Sequence, residues 1–306
     1  MSYFSTRLTQ AVILLLGLVS GWQLPQERLV KAIRADTELE PARVDALLQC
    51  AEQALTSWST TSPEFFVTPL QMLGITKAFK DIADVGVSYD GGYRLSERHR
   101  VFFSRQEEGV VIGGGGGGGE AAVPAEDLDS YLVAVEVRGV FTFDKATHAE
   151  FVESIYTIPG ISQEKIGDVV VYGDRGCGVV VTPDQAPLLC SGISAVRSVP
   201  VEAVALQHVS QMQQNLRPPS RKELSLVEAS DRLDAVASAG LCLSRSAMVK
   251  LIDAGHVLVN WRQARSAASP VRAKDVVMVR GVGRLVLEDV ALTAKGRTRI
   301  KCVRIT

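Results

Sequence analysis

A short polar sequence, Ser244-Arg245-Ser246, has the residue types and the position to bind a phosphate group. Apolar residues follow from Met248 at helical spacing, so Ser244 is placed to cap a helix. The free N–H groups and the dipole of a helix start favour an anion, and a guanidinium can bind two phosphate oxygens. Arg245 and Lys250 are therefore predicted phosphate ligands, and Arg245 is expected to be an exposed residue whose loss leaves the fold intact.

The segment after this helix adds further polar candidates. Gly255 is expected at the C′ position of the helix, and strand-like runs follow at 257–261 and 275–280. The candidate binding residues in this segment are Asn260, Trp261, Arg262, Arg265, Arg280 and Arg284. Trp261 can stack on a base or pack against the hairpin, and Asn260 can read a base or serve as a turn residue.

The sequence shows no pattern typical of a metal site or of catalysis. The five cysteines form no CxxC pair, the four histidines are scattered, and no Ser/His/Asp or Cys/His set has supporting context. The glycine run Gly113–Gly119 lacks the Lys-Ser/Thr of a phosphate-binding loop and is predicted to be a flexible insertion. We therefore expect no catalytic residue, no metal, no cofactor and no small-molecule substrate.

Charge is distributed unevenly along the chain. The 306 residues carry 33 Lys and Arg against 34 Asp and Glu. Residues 220–306 hold 16 basic and 8 acidic residues, a net charge of +8, which leaves −9 for the remainder. A basic module joined to an acidic body indicates a polyanionic partner, although a solvated basic surface gives the same count.

Hydrophobic periodicity and turn residues indicate an α+β protein. The apolar run Ala11–Val19 is too short for a membrane span of ~20 residues; the leader around it suits a signal, a transit peptide or a gene-model artefact. A helix of the middle domain is expected to begin at Asp144. The predicted organisation is a leader at 1–24, a helical segment at 25–75, an α/β plait of the ferredoxin-like type at 76–205, a linker at 206–219 and a C-terminal module at 220–306.

The middle domain offers a second group of candidate binding residues. Arg94, Arg98 and Arg100 lie near the Gly91-Gly92 turn and could face RNA, or they could be ordinary surface arginines of a hairpin. Arg138 and Arg197 better suit structural ion pairs.

The C-terminal module resembles the S4 RNA-binding domain over some fifty residues. The matching elements are Arg232-Leu233-Asp234, Ser244-Arg245-Ser246, Leu251-Ile252-Asp253-Ala254-Gly255, Val257-Leu258-Val259-Asn260, Asp275-Val276-Val277 and Val279-Arg280-Gly281. The resemblance implies a fold of the αL type, in which two short helices and the following hairpin form an RNA-binding surface.

A wider resemblance covers roughly residues 52–306. It rests on Gly91-Gly92-Tyr93, Val135-Glu136-Val137-Arg138-Gly139, Lys165-Ile166-Gly167-Asp168 and Val196-Arg197-Ser198-Val199-Pro200-Val201. These residues resemble the photosystem II S4 domain proteins and the bacterial YlmH family. The resemblance implies a plait that is RNA-binding-like, and binding to the large ribosomal subunit with peptidyl-tRNA. It also implies a chloroplast location, with the cytoplasm as the alternative.

These features predict a non-enzymatic protein that binds structured rRNA or tRNA and has no membrane span. A photosystem II assembly factor acting through protein contacts is one alternative. A pseudouridine synthase is another, because those enzymes also place a catalytic Asp in an Arg-Leu-Asp motif. Here Arg232-Leu233-Asp234 lies inside the S4 pattern, and no catalytic domain follows it.

Overall fold

The computed structural model describes residues 24–94, 96–106, 125–216, 220–279, 282–294 and 296–306. They form two compact units, Met1–Leu216 and Arg217–Thr306. Residues 1–23 of the predicted leader, the Gly113–Gly119 run and Arg280 lie outside the described residues. The finer domain boundaries predicted within the first unit stay predictions.

The first unit begins with three helices and a hairpin that share one core. Leu29, Ile33 and Val44 recur at helical spacing and are fully buried. Val101 and Phe103 of the hairpin pack into the same cluster, so the hairpin closes the helical layer. These elements are α1 (Gln26–Thr37), α2 (Pro41–Ser57), α3 (Pro69–Phe79), β1 (Val85–Asp90) and β2 (Arg100–Arg105).

A four-stranded antiparallel sheet forms the rest of this unit. Its strand order is β4-β5-β3-β8, and helices connect β3 to β4 and β5 to β8. This βαββαβ succession is compatible with the predicted ferredoxin-like plait. The elements are α4 (Ala125–Leu128), β3 (Val133–Arg138), α5 (His148–Tyr156), β4 (Ile166–Val171), β5 (Gly176–Val181), α6 (Ala186–Gly192), β6 (Ala195–Val196), β7 (Val199–Pro200) and β8 (Glu202–Ala205).

Two local predictions in this unit need correction. Helix α5 begins after Thr147, not at Asp144, because Thr147 and Glu150 form a reciprocal capping box. Asp144 instead pairs with Arg197 at 3.1 Å. The predicted linker is also partly structured: Val209–Asn215 forms a 3-10 helix whose apolar residues pack beneath the sheet.

The C-terminal unit is a six-stranded antiparallel sheet with two helices on one face. The strand order is β11-β10-β12-β13-β14-β9. Apolar residues of helices α7 and α8 share a buried cluster with one set of alternating strand residues, among them Leu285, Ile300 and Cys302. The elements are β9 (Arg221–Glu228), α7 (Leu233–Leu241), α8 (Arg245–Asp253), β10 (Val257–Val259), β11 (Arg262–Gln263), β12 (Val276–Val279), β13 (Gly283–Leu292) and β14 (Thr298–Ile305).

Within the described ranges, no single helix is long and apolar enough to cross a membrane. Helices α7 and α8 taken together have the length and the apolar composition of a membrane span, but a bend of 116° separates them.

Candidate nucleic-acid interface

The start of helix α8 is organised as the sequence predicts. The Ser244 hydroxyl accepts a hydrogen bond from the backbone N–H of Ala247 at 3.1 Å, which confirms Ser244 as the helix cap. Ser244, Arg245 and Ser246 are all exposed. Because the first N–H groups of a helix have no intrahelical acceptor, this end offers donors and a favourable dipole to an anion.

Arg245 is not a free surface residue, however, because it shares a buried carboxylate with Arg232. Its Nε and Nη2 each lie 3.2 Å from an oxygen of Asp234. The Nε and Nη2 of Arg232 donate to the same carboxylate at 3.1 and 2.9 Å. We call Arg232, Asp234 and Arg245 the arginine clamp. The expectation that Arg245 has no structural role is thereby corrected.

The clamp is buried at its centre and exposed at its edges. The Asp234 side chain is 5% exposed, whereas Arg232 and Arg245 are 41% and 54% exposed. Hydrogen bonds from Arg232, joined by those from Arg245, lower the pKa of Asp234 to about 2 although burial acts in the opposite direction. The carboxylate thus fixes two guanidinium groups side by side and leaves a net positive charge facing solvent.

Backbone contacts place the clamp beside the loop that follows β11. The backbone N–H of Leu233 donates to the carbonyl oxygen of Ser269 at 2.8 Å, and the backbone N–H of Asp234 donates to the carbonyl oxygen of Ala267 at 3.0 Å. This loop contains Arg265, which is exposed. The fold therefore gathers the start of α7, the start of α8 and this loop into one region.

The turn between β10 and β11 assigns structural roles to two candidates. Asn260 and Trp261 have positive φ values of 50° and 67°, so they form the turn and do not extend the strand as predicted. The Asn260 amide donates to Asp275 at 2.8 Å, and its oxygen accepts from the N–H of Val276 at 2.9 Å. Trp261 is half-buried, whereas Arg262 is exposed on β11.

Two other cations of the C-terminal unit occupy different places. Lys250 is exposed on helix α8. Arg284 lies on β13, between Met278 and Ile305 of the neighbouring strands, and is half-buried.

In the first unit, the three predicted arginines differ in accessibility. Arg94 is exposed, and its backbone N–H donates to Gln213 at 3.3 Å. Arg98 is half-buried, and among the described residues no acceptor meets its buried Nε. Arg100 is only 2% exposed, and its guanidinium donates to Ser62 and to the Tyr131 carbonyl. We therefore leave Arg100 out of the proposed contact surface.

Sequence reasoning missed the role of Arg232 and Asp234, although their motif stands out. In this structure the Asp234 carboxylate of the motif forms ion pairs with Arg232 and Arg245. Arg138 and Arg197 form the expected ion pairs, Arg138 with Glu136 and Arg197 with Asp144 and Glu150. In the described part of the chain, no group of three or more His, Cys, Asp or Glu side chains could hold a metal ion.

Comparisons with known proteins find similarity in two separate parts of the chain. A family model for the S4 domain matches residues 231–277, and a model for the YlmH N-terminal region matches residues 40–108. The ribosome-associated protein quality control protein P2 of Bacillus subtilis (strain 168) is 25% identical over 241 residues, which are 79% of this chain and 84% of the relative. A solved structure of the cell division protein ylmH from Streptococcus pneumoniae is 17% identical, covers 55% of this chain and 93% of its own, and has a TM-score of 0.39.

The two family models and the Bacillus subtilis relative confirm the predicted S4 and YlmH resemblance. The photosystem II part of the resemblance has no support in them. The chain carries a YlmH N-terminal domain and, at its C-terminus, an S4 domain.

Proposed function

We propose that this protein binds structured RNA of the ribosome through its S4 domain and acts there as a non-enzymatic, ribosome-associated factor. The arginine clamp at the start of α8 carries the proposal. Two guanidinium groups held on one buried carboxylate stand beside the open N–H groups of a helix. That combination suits a phosphodiester oxygen better than a metal or a small neutral substrate.

The fixed geometry explains why the clamp suits RNA better than scattered surface cations do. A free arginine loses side-chain entropy when it binds, whereas these two are already held by Asp234. Exposed Lys250, Arg262 and Arg265 lie on the same helix or on the adjoining hairpin and loop. We include these three cations in the proposed binding surface.

The comparisons support the ribosomal part of the proposal. The matched model is an S4 domain, and the Bacillus subtilis relative is named for ribosome-associated quality control. We extend that association to this chain, with rRNA or tRNA of the large subunit as the proposed partner. Localisation in the chloroplast, or otherwise in the cytoplasm, is a further proposal that rests on the leader sequence and on the resemblance to the photosystem II S4 domain proteins.

Replacement of Arg245 tests the proposal. The full chain is titrated into a labelled RNA hairpin at several salt concentrations, with Arg245→Ala and Arg245→Lys compared with the unaltered protein. Loss of a hydrogen bond to a charged group should weaken binding by about 1–3 kcal/mol. The log–log salt slope should fall by roughly 0.7–0.9 for a lost phosphate contact. Arg245→Lys should bind more tightly than Arg245→Ala but less tightly than the unaltered protein, because an ammonium group cannot form the bidentate hydrogen bonds of a guanidinium.

Arg34→Ala is the matched control, because Arg34 is an exposed helical arginine of the other unit. It should leave affinity and slope unchanged. If Arg245→Ala binds with the affinity and slope of the unaltered chain, the RNA surface does not include the clamp.

A further inference from the structure

A row of cations lies on the strand that ends the chain. Arg297, Arg299 and Lys301 occupy alternate positions, and all three are exposed. The residues between them, such as Ile300, point into the core and are buried. Successive side chains on one face of a strand stand about 7 Å apart. Arg299 and Lys301 therefore lie on the face of the sheet opposite the helices, which we call the outer face, and exposed Arg297 immediately precedes the strand.

The strand register extends this positive surface across neighbouring strands. Arg284 on β13 lies opposite Ile305, which in turn lies opposite Arg221 on β9. The same alternation that places Arg299 and Lys301 on the outer face also places Arg221 and Arg284 there. The arginine clamp belongs to the helices on the other face, so the two groups of cations are separate.

Few acidic groups offset these charges. Asp289 lies opposite Lys301 in the register and 4.0 Å from Arg299. Glu223 is the acidic residue of β9 on the outer face, beside Val303. Within the described ranges, the side chains of Arg297 and Lys301 make no hydrogen bond or ion pair. The row thus retains positive charge that the fold itself does not use.

Backbone contacts hold the hairpin tip in place. Thr293 donates to the carbonyl of Arg297 through its N–H at 2.7 Å and through its hydroxyl at 2.9 Å. The N–H of Arg297 returns a bond to the Thr293 hydroxyl at 3.1 Å. These bonds hold the backbone of Arg297 against Thr293 before any partner binds, which lowers the entropic cost of binding.

We propose that the outer face of β14 is a second RNA-binding surface that takes the phosphodiester backbone of an RNA segment. The inference rests on the proposed function, since it assigns a further surface to the same polyanionic partner. Regularly spaced cations match the repeating charge of a backbone. Among the residues that the register places on this face, none has an aromatic ring on which a base could stack, so contact is with phosphates and not with bases.

The test uses the full chain and a labelled RNA hairpin as probe. Arg299→Gln combined with Lys301→Gln removes two outward charges without touching the core. The log–log salt slope should fall by about 1.5 and affinity at low salt by about fivefold or more. The control is Lys31→Gln combined with Arg34→Gln, which removes two exposed charges from α1 and should change neither quantity. Thermal unfolding of both double variants verifies that they are folded.

The outcomes separate this inference from the proposed function. If the Arg299/Lys301 variant matches the unaltered chain while Arg245→Ala binds weakly, the second surface does not exist and the clamp stands. If the unaltered chain does not bind the probe, both proposals are overturned. Loss of binding to phosphatidylserine-containing vesicles, with RNA binding unchanged, would assign the row to a membrane surface instead.

Discussion

Replacing Asp234 by Asn removes the charge at the centre of the arginine clamp without changing the size of the side chain. In the native structure the carboxylate accepts four hydrogen bonds from Arg232 and Arg245. An amide can accept through its oxygen only, and its NH₂ group would face a guanidinium. We expect Asp234→Asn to destabilise the C-terminal unit and to release both arginines.

The depressed pKa of Asp234 indicates the order of magnitude of this effect. It lies at about 2, against 3.8 for an unperturbed carboxyl group. That difference corresponds to about 2 kcal/mol of unfolding free energy at neutral pH. Because the folded-state pKa is depressed, this stabilisation is present above about pH 4 and is lost as the pH falls through about 2. The unaltered chain and Asp234→Asn should therefore converge in stability in acid.

Hydrogen exchange measured by mass spectrometry reports the local unfolding free energy of helix α7 within the full chain. Asp253→Asn is the control, because Asp253 is an exposed acidic residue at the end of α8. A substitution of that kind should change stability by no more than about 0.5 kcal/mol. If Asp234→Asn is as stable as this control at neutral pH, or if the difference does not shrink in acid, the clamp does not stabilise the fold.

Two further substitutions test the packing that supports the surfaces. Gly240→Ala should destabilise the C-terminal unit by about 1–3 kcal/mol in the same exchange experiment, because its Cβ would lie 2.4 Å from Leu285 Cδ1; a neutral effect would show that the helix and sheet are loosely packed. Arg100→Met should lower the thermal unfolding temperature of the first unit, since it leaves the acceptors on Ser62 and Tyr131 unpaired. Each buried acceptor that loses its partner costs about 1–3 kcal/mol of stability. RNA affinity per folded molecule should be unchanged, and a selective loss of RNA binding would instead restore Arg100 to the interface.

Features that depend on neighbouring residues could be predicted from the sequence. Ser244 caps a helix because its hydroxyl needs only the next turn. Gly255 follows that helix with φ of 77°, as the C′ position requires. The alternation of Arg297, Arg299 and Lys301 was equally local and could have been read from the sequence.

Features that depend on tertiary contacts could not be predicted. Asp234 and Arg245 are eleven residues apart and belong to helices that meet at 116°. Their pairing is therefore set by packing and not by spacing. Arg100 begins a strand whose first four residues are all buried, so the alternation that separates surface from core is missing there. The sequence therefore suggests an exposed hairpin arginine at position 100, whereas the structure buries it.

Ultraviolet crosslinking of the full chain to purified large ribosomal subunits tests the central claim most directly. Mass spectrometry identifies the peptides that carry crosslinked nucleotides. The proposal predicts nucleotide adducts on peptides spanning Arg232–Lys250, with much weaker adducts in Arg245→Ala and unchanged adducts in the Arg34→Ala control. Absence of adducts from that region, or adducts that persist unchanged in Arg245→Ala, would contradict an RNA-binding role for the arginine clamp.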